Sequence, residues 1–239
     1  MNKNKGYLND DRRAVVTGIG VVAANGIGMD DFWRTMTGGQ SGVGSITLFD
    51  ASKFPNRIAA EVKGFDPKIH LSPSVKWKRM GRHTHFALAA LDMAVADAAV
   101  RDVMADSARP VSVVIGVSTS AIELVQGVAY IVQDGEATRV RPGLVWASQP
   151  HAVSATLAEY LGTRVAFQTV ATACKAGSDA VLAAATAIRM GRADIAIAGG
   201  TDASITATTC GAFCASRLLS VRNDDPQHAS RPFDRDRDG

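Results

Sequence analysis

Residues 164–200 read RVAFQTVATACKAGSDAVLAAATAIRMGRADIAIAGG, and the alternation within this stretch decides the fold class. Residues 164–170 are strand-like. After Thr172-Ala173-Cys174, residues 176–190 are rich in alanine and are halted by Gly191, the signature of a helix with its stop signal. Residues 193–198 form a further apolar run closed by Gly199-Gly200, predicting another buried strand. Strand, helix and strand in that order predict a crossover unit, and hence α/β architecture with a largely parallel sheet. Cys174 falls where the first strand passes into the helix.

The same grammar extends upstream. Residues 111–116 are a continuous apolar run ended by Gly116, the pattern of a central strand covered on both faces. From Gly81, the apolar residues Phe86, Ala87, Ala90, Leu91, Ala94, Val95 and Ala98 recur at three- and four-residue spacing, marking one face of a long helix. Residues 122–134 and 151–161 predict two more helices, the latter stopped by Gly162. Residues 14–17 read as a buried first strand entering the turn Gly18-Ile19-Gly20, and Asp30-Asp31-Phe32-Trp33 reads as a helix start. Glycines at 38, 39, 42 and 44 break that helix, and an irregular excursion follows to Pro73, with β-like residues at 58–62. The first eleven residues are a polar leader, and residues 12–239 are read as one domain.

Composition narrows the function. With 239 residues, 46% hydrophobic and 21% charged, the chain can bury a sizeable core. A net charge of +3 with interleaved signs, as in residues 231–238, gives nucleic-acid binding little support. No apolar run is long enough to span a bilayer or to act as a signal core, so a cytoplasmic location without membrane contact is expected. The glycines of residues 18–20 and 26–28 do not complete a GxGxxG after the first strand, which leaves dinucleotide binding weakly supported. The three cysteines, Cys174, Cys210 and Cys214, are an odd count without a CxxC pair, so neither a disulfide framework nor a zinc knuckle is expected.

Cys174 combines a strand end, a tight turn, small neighbours (Ala173, Ala176, Gly177) through which a substrate can approach, and the amino end of a helix. Unpaired amides and the dipole at such an end favour a thiolate and offer donors to an oxyanion. A thiolate is also a good acyl acceptor and leaving group. A buried structural cysteine is the ordinary alternative. That alternative is kept for Cys210 and Cys214, which share one face if residues 203–218 are helical.

Several stretches resemble β-ketoacyl-[acyl carrier protein] synthases. They are Val16-Thr17-Gly18-Ile19-Gly20, Arg57-Ile58-Ala59-Ala60-Glu61-Val62 and Arg79-Met80-Gly81-Arg82, then the more specific Thr172-Ala173-Cys174-Lys175-Ala176-Gly177, Ala198-Gly199-Gly200-Thr201-Asp202-Ala203 and Ser230-Arg231-Pro232-Phe233-Asp234. The resemblance is to elongating type II condensing enzymes and implies a thiolase-like fold, layered αβαβα, of which this chain supplies mainly the N-terminal half. It implies Cys174 as acyl acceptor, with its own amide as an oxyanion donor. Phe213 and Thr119 match positions near the acyl pocket, and Leu144 would reach the pocket of a partner subunit. It further implies a homodimer served by acyl- and malonyl-loaded carrier protein, with no metal and no cofactor.

The resemblance has gaps. The two histidines and lysine used for decarboxylation have no match; His70, His83, His85, His151 and His228 are read as surface or helix-face residues. The family continues into a glycine-rich strand beyond Gly239, so the chain reads as truncated and unable to condense alone. Lys175 stands where a small residue is commoner, and it is read as an exposed side chain pointing away. Trp146 is bulky for its segment and fits either the acyl tunnel or a dimer surface. A non-catalytic chain-length-factor-like subunit and a thiolase-like acyl-CoA enzyme are the competing readings. Cys174 counts against the first, and the loop around residues 231–234 against the second.

Overall fold

The computed structural model describes residues 12–105, 109–162 and 165–239; the polar leader, and Arg164 at the start of the predicted strand, lie outside them. In chain order the elements are β1 (Val22–Ala23), β2 (Gly26–Ile27), α1 (Met29–Thr37), β3 (Gly44–Ser45), β4 (Ile58–Ala59), α2 (Pro67–His70), α3 (Arg82–Asp97), α4 (Arg101–Met104), β5 (Val111–Gly116), α5 (Ile122–Gln133), α6 (Gly143–Ala147), α7 (Ala152–Leu161), β6 (Val165–Val170), α8 (Ala176–Arg189), β7 (Ile195–Gly200) and α9 (Ala207–Ala215). They fall into two compact units. The first is Leu71–Ala203 with the described residues 12–20, and the second is Val21–His70 with Ser204–Gly239.

The first unit is built on a parallel sheet of order β6-β5-β7. Its register aligns Gly116 with Val170 on one side and with Gly200 on the other, so three strand ends lie abreast. Side chains alternate along β5. Val114 packs on Ala180 and Ala184 of α8, joined by Val170, Ala196 and Ala198. On the opposite face, α7 ties to β6 through Ser154, whose hydroxyl donates to the Gln168 carbonyl at 3.0 Å and accepts from Thr169 Oγ1 at 2.7 Å. Ala176, Ala180 and Ala184 are the buried residues of α8. Their four-residue spacing puts them on one face, and their size lets the helix axis approach the sheet closely. Gly162 closes α7 in the left-handed region at φ 64°, as its sequence position predicts.

Two expectations for this unit need correction. Residues 14–17 are not a buried strand: Val15 and Val16 are 69% and 78% exposed, and no described strand pairs with them. The segment instead lies along α3, where a Cβ on Gly18 would collide with Ala94 and Ala98 and one on Gly20 with Ala90. These glycines permit close approach of two backbones rather than a turn. β7 was predicted buried, yet it is an outer strand of the three in this sheet; residues 195–199 are half-buried and Gly200 is exposed.

The second unit is irregular and held by side-chain anchors. Glu61, buried, accepts from Thr47 N (2.8 Å), Thr47 Oγ1 (2.7 Å) and Leu48 N (3.1 Å). Asn56 donates to the Ser220 carbonyl at 2.7 Å, and Asn223 accepts from Arg57 N at 2.7 Å and donates to the Pro55 carbonyl at 2.8 Å. The predicted β-like residues 58–62 contribute only β4, paired antiparallel with β3. α9 is shorter than the predicted 203–218 because Thr206 caps its start, accepting from Thr209 N at 3.2 Å.

Candidate active site at the carboxyl ends of the parallel strands

Three loops leave the aligned strand ends of the first unit: 171–175 after β6, 117–121 after β5, and 201–203 after β7. Crevices at the carboxyl ends of parallel strands are the usual ligand sites of open α/β sheets. Cys174 lies in the first loop, exposed, within the single 3-10 turn Ala173–Lys175 that leads directly into α8.

The turn is sharp because Ala173 adopts φ 57°, a left-handed conformation that a residue with a Cβ rarely takes. Asp179, one turn into α8, fastens it by accepting from Thr172 Oγ1 at 2.6 Å and from Lys175 Nζ at 2.5 Å. The Lys175 ammonium, then the Thr172 hydroxyl, hold the Asp179 carboxyl below its ordinary range. The charge of Lys175 is therefore paired with Asp179 while its side chain stays exposed, in line with the expected outward-pointing residue.

The small neighbours of Cys174 have a packing role that the sequence did not predict. Ala176 is buried, and a Cβ on Gly116 would collide with its carbonyl and with the Gly177 amide. A Cβ on Gly200 would come within 2.9 Å of Gly177 Cα. Gly116, Gly177 and Gly200 thus let the first turn of α8 rest on the ends of β5 and β7, backbone against backbone. They fix where Cys174 stands. The apolar run ending at Gly116 was the available signal for this contact.

Thr119, the predicted pocket residue, lies on the neighbouring loop and is fixed by Asp202 after β7. Asp202 Oδ1 accepts from Thr119 N (2.8 Å), Thr119 Oγ1 (3.0 Å) and Ser120 N (3.1 Å), and Oδ2 accepts from Ser118 N at 2.7 Å. Sequence reasoning placed Asp202 in a motif without giving it a task. Leu144 is half-buried on α6 of the same unit, beside the partly exposed Trp146, which lines a cleft of about 650 Å³ with Lys76, Arg79 and Tyr160. Phe213 belongs to the second unit, on α9, and is 42% exposed.

Beneath these loops sits a polar cluster that the sequence reading missed. His83, predicted at the surface or on a helix face, is 0% exposed, and burial lowers its pKa to about 4, so it is neutral at pH 7. Its carbonyl accepts from Thr201 Oγ1 at 2.6 Å. His85 is buried as well, its Nε2 at 2.7 Å from the Trp77 carbonyl. Burial raises the pKa of Glu123, which accepts from Arg82 N at 2.7 Å through Oε1, while its Oε2 and His83 Nδ1 are buried without a hydrogen-bond partner. On α9 of the second unit, Cys210 is buried, as expected of a structural cysteine, and Cys214 on the same helix is half-buried. Among the described residues no group of His, Cys, Asp and Glu is placed to hold a metal ion, and no helix is long and apolar enough to cross a membrane.

Comparison with known proteins converges on one family. The profile "Beta-ketoacyl synthase, N-terminal domain" matches residues 11–239. The chain is 39% identical over 234 residues to a polyketide beta-ketoacyl synthase of Streptomyces halstedii, covering 95% of this chain and 55% of that protein. It is 37% identical over 232 residues to 3-oxoacyl-[acyl-carrier-protein] synthase 2 of Synechocystis, covering 96% and 55%. The chain therefore spans about half the length of the curated relatives it matches. Among solved structures, the ishigamide ketosynthase/chain length factor superposes with a TM-score of 0.86 at 31% identity, over 95% of this chain and 55% of that one. A type II polyketide ketosynthase in complex with its acyl-carrier protein gives 0.82 at 28% identity, over the same shares. The α/β fold expected from the alternation at residues 164–200 is thus the fold of these synthases, and the chain belongs to the beta-ketoacyl synthase family through that family's N-terminal domain.

Proposed function

We propose that this chain carries the acyl-accepting half of a 3-oxoacyl-[acyl carrier protein] synthase of fatty-acid or related polyketide synthesis, with Cys174 as the acyl acceptor. The observation that carries the reading is the placement of Cys174, exposed in a strained turn at the aligned carboxyl ends of the parallel strands, inside the matched family domain. In the proposed step the Cys174 thiolate attacks the carbonyl of an acyl thioester. The carbonyl π pair moves onto oxygen, and its return expels the carrier thiolate, which takes up a proton. The new bond is the Cys174 thioester; the bond broken is that of the carrier, and no redox change occurs.

The amino end of α8 supports the charge that develops. It carries no side-chain cap hydrogen bond, and first-turn amides of a helix with the Cys174 amide beside them suit an oxyanion. Carrier protein is the proposed donor, since a homologous ketosynthase is seen bound to one. The later decarboxylative condensation with malonyl carrier protein is assigned to groups outside residues 1–239, because the family's two histidines and lysine have no counterpart motif in the sequence. A homodimer, with Leu144 reaching the partner's pocket and Phe213 at the acyl chain, completes the proposal.

Intact mass spectrometry after incubation with acyl carrier protein thioester tests it. The expected result is one acyl adduct on the wild type and none on Cys174→Ala. A folded, alkylatable wild type that takes no acyl group would overturn the acyl-acceptor role and return weight to a non-catalytic subunit.

A further inference from the structure

We propose that Asp202 is the positioning residue that sets the acyl-pocket wall at Thr119; this rests on reading Cys174 as the acyl acceptor. Three consecutive amides and one hydroxyl, all from residues 118–120, converge on this single carboxylate at 2.7–3.1 Å. Charge-assisted hydrogen bonds of this kind are about twice as strong as neutral ones, so four on one group outweigh the backbone strain they accompany. That strain is visible at Ser120, which has φ 52°.

The clamp joins loops that the sheet has already aligned. Asp202 stands two residues beyond Gly200 and Ser118 two beyond Gly116, and Gly116 pairs with Gly200. Thr201 N donates to the Gly116 carbonyl at 3.0 Å, and Val117 N to the Val170 carbonyl at 2.9 Å. The loop bearing Thr119 is therefore gripped from the β7 side by Asp202 and continues the sheet ladder on the β6 side, from which the Cys174 turn departs. The grip has a chemical consequence. With its hydroxyl turned onto the carboxylate, Thr119 is left its γ-methyl to offer elsewhere, and in this proposal that methyl is what an acyl chain on Cys174 meets, an apolar contact at a position the sequence marks as polar. Without the Asp202 charge the loop loses the anchor of these four hydrogen bonds, and the space beside the acyl chain changes in shape and polarity.

Asp202→Asn keeps the side-chain volume and one acceptor oxygen while removing the charge and turning an amino group toward the three amides. Three readings are taken on wild type and variant. They are hydrogen exchange across residues 118–120, the rate at which iodoacetamide alkylates Cys174, and the ratio of Cys174 acylation by dodecanoyl- and hexanoyl-pantetheine. Exchange is expected to quicken about tenfold. Alkylation, which needs only the Cys174 turn, is expected to stay within about twofold, while the dodecanoyl-to-hexanoyl ratio changes by about fivefold or more. An unchanged ratio, or alkylation and both acylations falling together, would overturn the proposal, the latter because it signals general loss of structure. Should the wild type alkylate normally yet take neither acyl group, the acyl-acceptor reading falls with the pocket role, and the exchange reading alone decides whether Asp202 holds the turn.

Discussion

Cys174 and Cys210 are the same side chain in opposite circumstances. Cys174 stands exposed where β6 has ended and α8 has barely begun, with Ala173 strained beside it. Cys210 lies inside α9, 7% exposed, its amide bonded to the Thr206 carbonyl at 2.9 Å and its thiol pKa pushed up by burial. One region spends conformational strain to present a sulfur; the other spends a sulfur to fill a core. The difference teaches that thiol chemistry here is assigned by the backbone beneath the residue. The largest expected effect follows directly. Iodoacetamide should label Cys174 about a thousandfold faster than Cys210 in the folded protein, because Cys210 must wait for local opening of α9. Peptide mapping of a time course reads the ratio. Comparable rates would erase the contrast.

The glycines of the two regions sharpen it with opposite signs. At Gly116 an added methyl collides with the backbone of Ala176 and Gly177, which cannot yield without lifting the start of α8 from the sheet. Gly116→Ala should cost on the order of 3 kcal/mol, the upper end for overpacking, and should slow Cys174 acylation more than its alkylation. At Gly211, inside α9, the same methyl meets only the Phe54 ring edge at 3.6 Å, an ordinary contact. Gly211→Ala should then stabilise by up to about 1 kcal/mol through helix propensity. Urea melts of the two variants measure both. A Gly116→Ala variant as stable as the wild type would show that the close approach at Gly116 is not holding the Cys174 turn.

Legibility in the sequence followed the length and regularity of each pattern. The long helix from Gly81, the strand ending at Gly116 and the strand–helix–strand run around Cys174 are where expected, since periodicity and a terminal glycine agree at each. The run at residues 14–17 misled because a short apolar stretch is equally consistent with strand and with a segment laid against a helix. What decides it is the contact of Gly18 and Gly20 with α3, which no local pattern contains. Cys174 was legible from its position between two elements. Asp202 was not, because its task is defined by loop 118–120, distant in sequence and brought alongside only by the strand register. His83 was hidden for a similar reason: an imidazole on a helix reads as surface unless the packing on that face is known.

His83 supplies the most conditional contrast between the two regions. Its folded-state pKa of about 4 lies below the ordinary 6.5, so the unfolded chain binds the extra proton first. The stability that His83 lends is thus present above about pH 6.5 and is lost as pH falls toward 4, amounting to about 2 kcal/mol between pH 7 and pH 5. Burial of Glu123 acts the other way, since a raised carboxyl pKa makes the folded state the better proton acceptor as the solution is acidified, which blunts the slope of the wild type. The Asp202 charge also faces His83 and favours its protonation, while His85 opposes it, and both are already part of the lowered value. His83→Leu removes one contribution and leaves the others standing, so the informative quantity is the difference between wild type and variant at the two pH values. Urea unfolding should show the wild type losing about 2 kcal/mol more than His83→Leu on acidification, with hydrogen exchange quickening in α3 before α9. A pH-independent difference would mean that the imidazole is reached by solvent, and the region beside Thr201 and Asp202 would then be no more closed than the rest of the fold.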